Sequence, residues 1–336
     1  MPIDVHAHYV PPHMVEALES KGREFGVSVV KHPPSCQCAL HFDYGFKARP
    51  FFPKLVEPVA DRLAGMDKQG IDRQVLSGWT DICAYALPSA ERARWHRFLN
   101  ENLAAPCAHH PQRFSMLAAV PLPDASLAAA ELDHAVRQLG AVGAVIGCNV
   151  EGKNLGDLDL DEFWQKAVDL DVGVFLHPVI TTPVTRVEKF QLAQIAQYTY
   201  DTTVTVGSLI FSGVLDRFPT LRLLLAHGGG TYPYLAGRFD HMQARMGMAG
   251  QTNSAKQKPS DYARRFYYDT ILHEPTILRW LAERVSVERI VLGSDYSFPP
   301  ADDDPVGTVR KAGFAGADFA RVVEDNAVAL FPAIQR

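Results

Sequence analysis

The chain has 336 residues, of which 47% are hydrophobic and 21% are charged, and its formal net charge is −5. This composition is typical of a folded globular protein and excludes a disordered one. The acidic balance and the lack of a basic stripe argue against nucleic acid as a partner, and the sequence has no uncharged apolar run of about 18 residues that would predict a membrane span.

Eight short apolar runs alternate along the chain with longer segments of helical period. The predicted strands are Ile3–Val5, Arg73–Ser77, Phe114–Val120, Val142–Gly147, Val172–His177, Leu221–Ala226, Phe266–Thr270 and Arg289–Gly293. The predicted helical segments are Ser89–His109, Ala125–Leu139, Leu160–Leu170, Lys189–Phe218 (long enough for two helices), Tyr232–Arg245, Glu274–Arg284 and Asp318–Leu330. Short apolar strands suit a parallel sheet covered by helices. Eight strand–helix units predict an α/β fold, a closed (β/α)8 TIM barrel, rather than an open doubly wound sheet.

One segment, 22–53, interrupts this alternation soon after the first predicted strand. It is rich in Gly, Pro, His and Cys and has no helical period. We interpret it as a small insertion after strand 1 that caps the mouth of the barrel. The whole chain, 1–336, is then predicted to be a single domain, which is within the usual range for this kind of barrel.

Polar side chains follow the apolar runs at positions where a barrel enzyme carries its chemistry. His6 and His8 end the first predicted strand, His177 ends the fifth, His227 follows the sixth, and Asp295 follows the eighth. Residues i and i+2 of a strand point to one face, and the active sites of such barrels lie at the carboxyl ends of the strands. A single histidine at a strand end is usually structural, but this set predicts a metal site. Zn²⁺ suits these ligands best, and Mn²⁺, Fe²⁺ and Co²⁺ stay open.

Several motifs that include these residues are shared with a known group of enzymes. They are Ile3–His8 (IDVHAH), Arg62–Asp67 (RLAGMD), Gly70–Asp72 (GID), Pro111–Phe114 (PQRF), Phe211–Val214 (FSGV), Ala226–Gly230 (AHGGG) and Leu292–Tyr296 (LGSDY). Together they resemble the amidohydrolase superfamily over nearly the whole chain. The resemblance is to the branch of aminocarboxymuconate semialdehyde decarboxylase and related aromatic-acid decarboxylases.

The resemblance implies a role for each of the strand-end residues. The implied metal ligands are His6, His8, His177 and Asp295, and the implied acid/base residues are His227 and Asp295. Binuclear relatives carry a bridging lysine at the end of strand four, whereas here that end reads Val145–Asn149, with Lys153 several residues further on. We therefore expect one divalent metal ion.

The resemblance also implies how a substrate is held. Arg49, in the predicted insertion, and Arg238, eleven residues after His227, match arginines that bind substrate carboxylates in the family. In those relatives the second arginine reaches in from the neighbouring subunit, which implies a homodimer. Tyr296 and Phe298 are further candidates for the pocket wall.

The loops near the expected pocket depart from the muconate decarboxylases. His177–Pro183 reads HPVITTP instead of carrying a Trp-Asp-Met run, and Ser297–Pro300 is followed by the acidic run Asp302–Asp304. The sequence therefore predicts a metal-dependent decarboxylase, a carbon–carbon lyase for a small aromatic or muconate-type carboxylic acid. The alternative is a metal-dependent hydrolase or hydratase that acts on a lactone, ester, amide or unsaturated carboxylic acid.

The cysteines give a weaker indication. There are five, an odd number in a chain without an N-terminal signal sequence, so we expect reduced thiols in a cytoplasmic protein. His32, Cys36, Cys38 and His41 have the residue types of a zinc site, but their spacing is unusual, and a loop with ordinary thiols and rings stays the main interpretation. His273, which follows the seventh strand, is a further candidate for substrate contact.

Overall fold

The computed structural model describes residues 1–32, 37–179 and 185–334. Eight parallel strands form one sheet in which neighbours in space are also neighbours along the chain. The two edges approach each other, since Val5 N donates to Leu292 O at 2.9 Å and Ala7 forms a parallel bridge with Tyr296. The predicted (β/α)8 barrel is therefore confirmed.

The elements are numbered in chain order. The strands are β1 (Ile3–His8), β2 (Val27–His32), β3 (Gln37–Phe42), β4 (Arg73–Ser77), β5 (Phe114–Ala119), β6 (Gly143–Gly147), β7 (Asn149–Val150), β8 (Lys153–Asn154), β9 (Gly173–His177), β10 (Arg222–Leu225), β11 (Phe266–Asp269) and β12 (Ile290–Val291). The helices are α1 (Pro12–Lys21), α2 (Val59–Gln69), α3 (Ser89–His109), α4 (Ala125–Leu139), α5 (Asp161–Asp169), α6 (Tyr198–Phe211), α7 (Val214–Arg217), α8 (Tyr232–Gln243), α9 (Pro275–Val285), α10 (Pro305–Lys311), α11 (Gly316–Ala320) and α12 (Asn326–Leu330). The barrel order is β1-β4-β5-β6-β9-β10-β11-β12.

The barrel strands are buried on both faces, which explains why they read as continuous apolar runs and not as alternating ones. Inside the barrel, Val5, Phe175 and Leu224 belong to one apolar cluster, which Leu330 and Phe331 of the C-terminal segment join. Polar side chains such as His8 and His177 lie beyond this packed interior, at the carboxyl ends of the strands. The first strand reaches His8, three residues beyond its predicted end, and its pairing with β4 is irregular between Asp4 and Ala7.

The region predicted as an insertion contains an antiparallel hairpin of β2 and β3 that the sequence analysis did not predict. Phe42 of β3 and the preceding Phe25 pack on Trp95 of α3, with ring centroids 5.8 and 5.7 Å apart. The hairpin therefore has an apolar cluster of its own beside the barrel. Its bounds as a cap, and the single-domain organisation, stay predictions. Cys36 of the candidate zinc set and residues 180–184 lie outside the described residues.

Two predicted helices differ in detail from the structure. The segment predicted as one helix over Asp318–Leu330 is divided among α11, a π-helical stretch at Arg321–Asp325, and α12. The segment predicted as two helices holds one long helix, α6, which follows the π-helical stretch Ala193–Gln197 and precedes the single turn of α7. Within the described ranges, no helix has both the length and the apolar character needed to cross a membrane.

Candidate metal centre and active-site cavity

Three buried imidazoles are oriented in the same way at the mouth of the barrel. Each uses its Nδ1 atom for a bond to the surrounding protein. The partners are Asp269 Oδ2 for His6 (2.7 Å), Ser77 Oγ for His8 (3.0 Å), and Thr80 Oγ1 (3.0 Å) and Pro178 O (2.9 Å) for His177. Such bonds fix the tautomer and the ring angle of a metal-binding histidine. The Nε2 atoms of all three rings are left to face a common centre.

Asp295 completes this centre. The ligand atoms of His6, His8, His177 and Asp295 all lie within 4.8 Å of one another. The Nε2 atoms of His6 and His8 are 3.0 Å apart, and Asp295 Oδ1 lies 3.2 Å from the first and 3.5 Å from the second. Among the described residues, His177 Nε2 and Asp295 Oδ1 are buried without a hydrogen-bond partner. A cation would satisfy these atoms, so the residues present fit a divalent metal ion.

The electrostatics of the cluster agree with a cation site. Burial opposes a charge on His6, yet the nearby carboxylates of Asp295 and Asp269 outweigh it and raise the pKa of His6 to about 10. Burial, reinforced by the neighbouring imidazoles, lowers the pKa of His177 well below its usual value. Burial also disfavours a charged Asp295, but His6 and His227 outweigh this and hold its pKa well below the usual range. The site therefore attracts positive charge, and the His177 imidazole stays neutral, which is the form that binds a metal ion.

Asp269, which the sequence analysis did not select, organises the neighbouring strand ends. Its carboxylate is fully buried at the end of β11 and accepts four hydrogen bonds. Oδ2 accepts from His6 Nδ1 (2.7 Å) and His227 N (2.9 Å), and Oδ1 accepts from Gly228 N (2.8 Å) and Ile271 N (3.2 Å). One side chain therefore orients a candidate ligand and also holds the turn that carries His227.

His227 lies beside the candidate ligands. Its Nε2 atom is 3.6 Å from Asp295 Oδ2, and its Nδ1 atom has no partner among the described residues. Its backbone φ is 54°, and that of Asp295 is 58°. Residues other than Gly rarely adopt such values. Because Asp295 directs Oδ1 toward the imidazole cluster and Oδ2 toward His227, the two residues can share a proton beside the metal centre.

A cavity of about 670 Å³ opens directly above these groups. Its lining residues are Arg49, Phe52, Trp79, Asp81, His177, Gln191, Gln194, Ile195, Tyr198, His227, His273, Asp295, Phe298, Pro299 and Pro300. The volume suits a small organic ligand, and the mixture of rings with a few polar groups is typical of ligand pockets. Asp81 and Tyr198 were not selected from the sequence, because the loop that carries Asp81 and the start of α6 become neighbours only in the folded chain.

The predicted substrate-binding residues divide into three groups. Arg49 and Phe298 line the cavity, as does His273, and the Phe298 ring lies 4.9 Å from the His8 ring. Tyr296 lies apart from the cavity lining: it is 4% exposed and packs on the Arg62 guanidinium at 4.8 Å. Arg238 is exposed on α8, away from the cavity of its own chain, and no ion pair to it is found within the described ranges.

The mouth of this (β/α)8 barrel brings together three imidazoles, a carboxylate and an open cavity. These features are typical of enzymes that use a metal ion bound at the carboxyl ends of the strands. The sequence profile of the amidohydrolase family matches residues 3–333. The chain therefore belongs to the amidohydrolase family, which confirms the resemblance seen in its motifs.

Relatives within this family are decarboxylases. The chain is 29% identical to 2-amino-3-carboxymuconate-6-semialdehyde decarboxylase of Dictyostelium discoideum, over 88% of this chain and 82% of the relative. It is 30% identical to gamma-resorcylate decarboxylase of Rhizobium sp. (strain MTP-10005), over 83% of this chain and 88% of the relative. The crystal structure of a dihydroxybenzoic acid decarboxylase from Polaromonas sp. JS666, with bound manganese and the inhibitor 2-nitroresorcinol, is 25% identical and has a TM-score of 0.77 over 100% of this chain and 98% of that one.

Proposed function

We propose that this protein is a metal-dependent decarboxylase that acts on a small aromatic or muconate-type carboxylic acid. The observation that carries the proposal is the convergence of His6, His8, His177 and Asp295 on one buried centre, with His227 and an open cavity beside it. The decarboxylase relatives support the reaction, and the sequence departures after His177 and Asp295 make a hydroxylated benzoate at least as good a candidate as the acyclic muconate.

His6, His8, His177 and Asp295 would hold one divalent ion. A set of three imidazoles and one carboxylate suits Zn²⁺ best, and the manganese in the Polaromonas relative makes Mn²⁺ the next candidate. An ion bound there supplies Lewis-acid stabilisation of negative charge on a substrate oxygen. The hydrogen bonds that join the three imidazoles to Asp269, Ser77 and Thr80 hold the rings in place for it.

Residues of the chain itself supply the proton that the reaction requires. In decarboxylation the bond between the ring carbon and the carboxyl carbon breaks, CO₂ leaves, and the electron pair stays on the ring carbon, which must take up one proton. His227 and Asp295 supply it, because His227 Nε2 lies 3.6 Å from Asp295 Oδ2 and both side chains line the cavity. Phe298, Trp79 and Phe52 keep water from the reacting carbon and position the ring.

The partner and location of the protein form a second part of the proposal. We propose a homodimer in which Arg238 enters the cavity of the neighbouring subunit and binds the substrate there. Exposed apolar residues on the same side of the barrel support this arrangement: Tyr234 of α8 is 79% exposed, and Ile277 and Trp280 of α9 are 47% and 39% exposed. We further propose that the protein works in the cytoplasm with its cysteines reduced.

Carbon dioxide release from carboxyl-labelled hydroxybenzoates tests the reaction. Protein loaded with Zn²⁺ or Mn²⁺ should convert at least one of salicylate and 2,6-dihydroxybenzoate to the free phenol. His227→Asn should abolish turnover while the bound metal, measured by mass spectrometry, stays stoichiometric. His109→Asn is the matched control, since His109 lies exposed at the end of α3. Hydrolysis of lactones without any CO₂ release would overturn the proposal in favour of hydrolase chemistry.

A further inference from the structure

One wall of the cavity carries a charge pair. Arg49 Nη2 donates to Asp81 Oδ2 at 3.0 Å and to the Tyr198 hydroxyl at 3.1 Å. The Arg49 guanidinium also lies over the rings of Trp79 and Phe52, 5.5 and 5.7 Å from their centroids. The side chain of Asp81 is 12% exposed and that of Arg49 is 38% exposed. The pair is therefore held in place from several sides and still faces the cavity.

The loop that carries Asp81 is tied to the metal centre. Thr80–Ile82 forms one turn of 3-10 helix, in which Thr80 Oγ1 contacts His177 Nδ1 at 3.0 Å. From the opposite side, the Tyr198 ring is stacked on the His227 ring at 6.2 Å. These contacts fix the position of the charge pair relative to the candidate metal ligands, so a substrate ring that enters the cavity and reaches the centre lies beside Arg49 and Asp81.

Arg49 is the only lysine or arginine among the described residues that line the cavity. Residues 180–184, which lie outside the described part of the chain, read Ile-Thr-Thr-Pro-Val and carry no charge. An unpaired arginine would attract a substrate carboxylate. Here Asp81 already balances that charge, and a carboxylate placed beside Arg49 would also lie beside Asp81. Like charges brought together in this way are an effective means of rejecting a ligand.

A neutral polar group meets no such penalty. No bond to Arg49 Nε or Nη1 is found within the described ranges, so these atoms remain to donate to a ligand oxygen. Asp81 accepts the hydrogen of a phenol or an aromatic amine. A substituent that both accepts and donates therefore matches the pair on both sides, which a carboxylate cannot do.

We propose that the Arg49–Asp81 pair determines specificity by accepting a hydroxyl or amino group of the substrate ring and rejecting a second carboxylate. The substrate class is then a hydroxy- or aminobenzoate with a single carboxyl group. This inference rests on the proposed function, because it assumes that the reacting carboxyl group faces the metal centre. It also revises the role that the family resemblance implied for Arg49, which was the binding of a carboxylate.

Equilibrium binding tests the inference without turnover. Salicylate and 4-hydroxyisophthalate form a matched pair that differs by one carboxylate, and their binding to the manganese-loaded protein is measured by calorimetry. We expect salicylate to bind at least about tenfold more tightly. Asp81→Asn, which leaves the charge of Arg49 unbalanced, should shift this ratio toward 4-hydroxyisophthalate by about tenfold or more. Arg49→Gln, which leaves Asp81 unbalanced, should shift it in the opposite direction.

Opposite shifts in the two variants are a signature that a purely structural role would not produce. Glu162→Gln removes one negative charge from the exposed surface of α5 and should leave the ratio unchanged. If Asp81→Asn does not fold, the Arg49→Gln measurement decides alone. An unchanged ratio in the cavity variants, tighter binding of the dicarboxylate by the unmodified protein, or no binding of either compound would overturn the inference. Absence of CO₂ release with an intact binding ratio would instead count against the proposed reaction.

Discussion

Replacing Asp269 with asparagine should weaken metal binding and also destabilise the fold. The carboxylate accepts from His6 Nδ1 and His227 N on one oxygen, and from Gly228 N and Ile271 N on the other. Asparagine keeps only one accepting oxygen. Its amide would then face either two backbone N–H donors or one backbone N–H and the imidazole N–H, and it has no negative charge to strengthen the His6 bond.

The size of the effect follows from these bonds. Loss of a carboxylate that orients a metal-binding histidine typically reduces metal affinity about 10- to 100-fold. A buried donor left without a partner costs about 1–3 kcal/mol. Unfolding in urea should therefore also show a loss of about 2–6 kcal/mol for the two donors that the asparagine amide leaves unpaired, before any relaxation. Competition with a chromophoric chelator measures the first quantity, and denaturation of the metal-free protein measures the second.

A matched control separates the two effects. Asp240 of α8 also bonds through both oxygens, to Ser260 N at 2.8 Å and Ser260 Oγ at 2.7 Å, but it contacts none of the candidate ligands. Asp240→Asn should lower stability and leave metal affinity unchanged. The reasoning would be refuted if Asp269→Asn bound metal as tightly as the unmodified protein, or if both variants lost affinity equally.

Three further predictions concern the stability of the fold. Arg62→Met, which removes a buried guanidinium that donates to Gln74 and lies 3.8 Å from Glu57, should cost about 3 kcal/mol in urea unfolding, because it leaves buried polar groups without their partner. Burial lowers the pKa of His96 to about 4 from an ordinary 6.5. Since the unfolded chain binds a proton below pH 6.5 and the folded chain does not until about pH 4, stability should fall as the pH is lowered across that window, by about 3 kcal/mol. The slope should become smaller by about this amount in His96→Phe, and an unchanged slope there would assign the effect to another group. Gly230→Ala should lower the melting temperature strongly, because φ is 63° there and an added Cβ would lie 2.3 Å from the Thr199 carbonyl oxygen.

The convergence of the metal centre could be predicted because its signals are local. His6 and His8 end the first strand, His177 ends another apolar run, and Asp295 follows the last one. Strand periodicity and the position of active sites in barrels then bring them together. Asp269 gave no comparable signal. It follows the aromatic stretch Phe266–Tyr268, and a single carboxylate in such a position usually caps a helix.

The cavity wall was harder to predict, because it depends on loops. Asp81 and Tyr198 lie far apart in the chain, and both contact Arg49 only after the barrel has closed. The β2–β3 hairpin, in contrast, did carry a readable signal. Ser28 separates Val27 from Val29, and His41 separates Leu40 from Phe42, which is a short piece of the period-two pattern of a strand with one buried face. Its Gly-, Pro- and Cys-rich surroundings concealed that pattern.

Three residues with strained backbone conformations lie at the mouth of the barrel. His227, His273 and Asp295 have φ values of 54°, 57° and 58°, and all three side chains line the cavity. Each such residue costs of order 1–3 kcal/mol and persists only where the surroundings impose it. At His227 the bond from its backbone N–H to Asp269 is one such constraint, and at Asp295 it is the bond from N–H to His6 O at 2.8 Å. Asp269 thus both orients the His6 imidazole and holds the strained turn at His227, so a substitution at Asp269 should disturb both positions together.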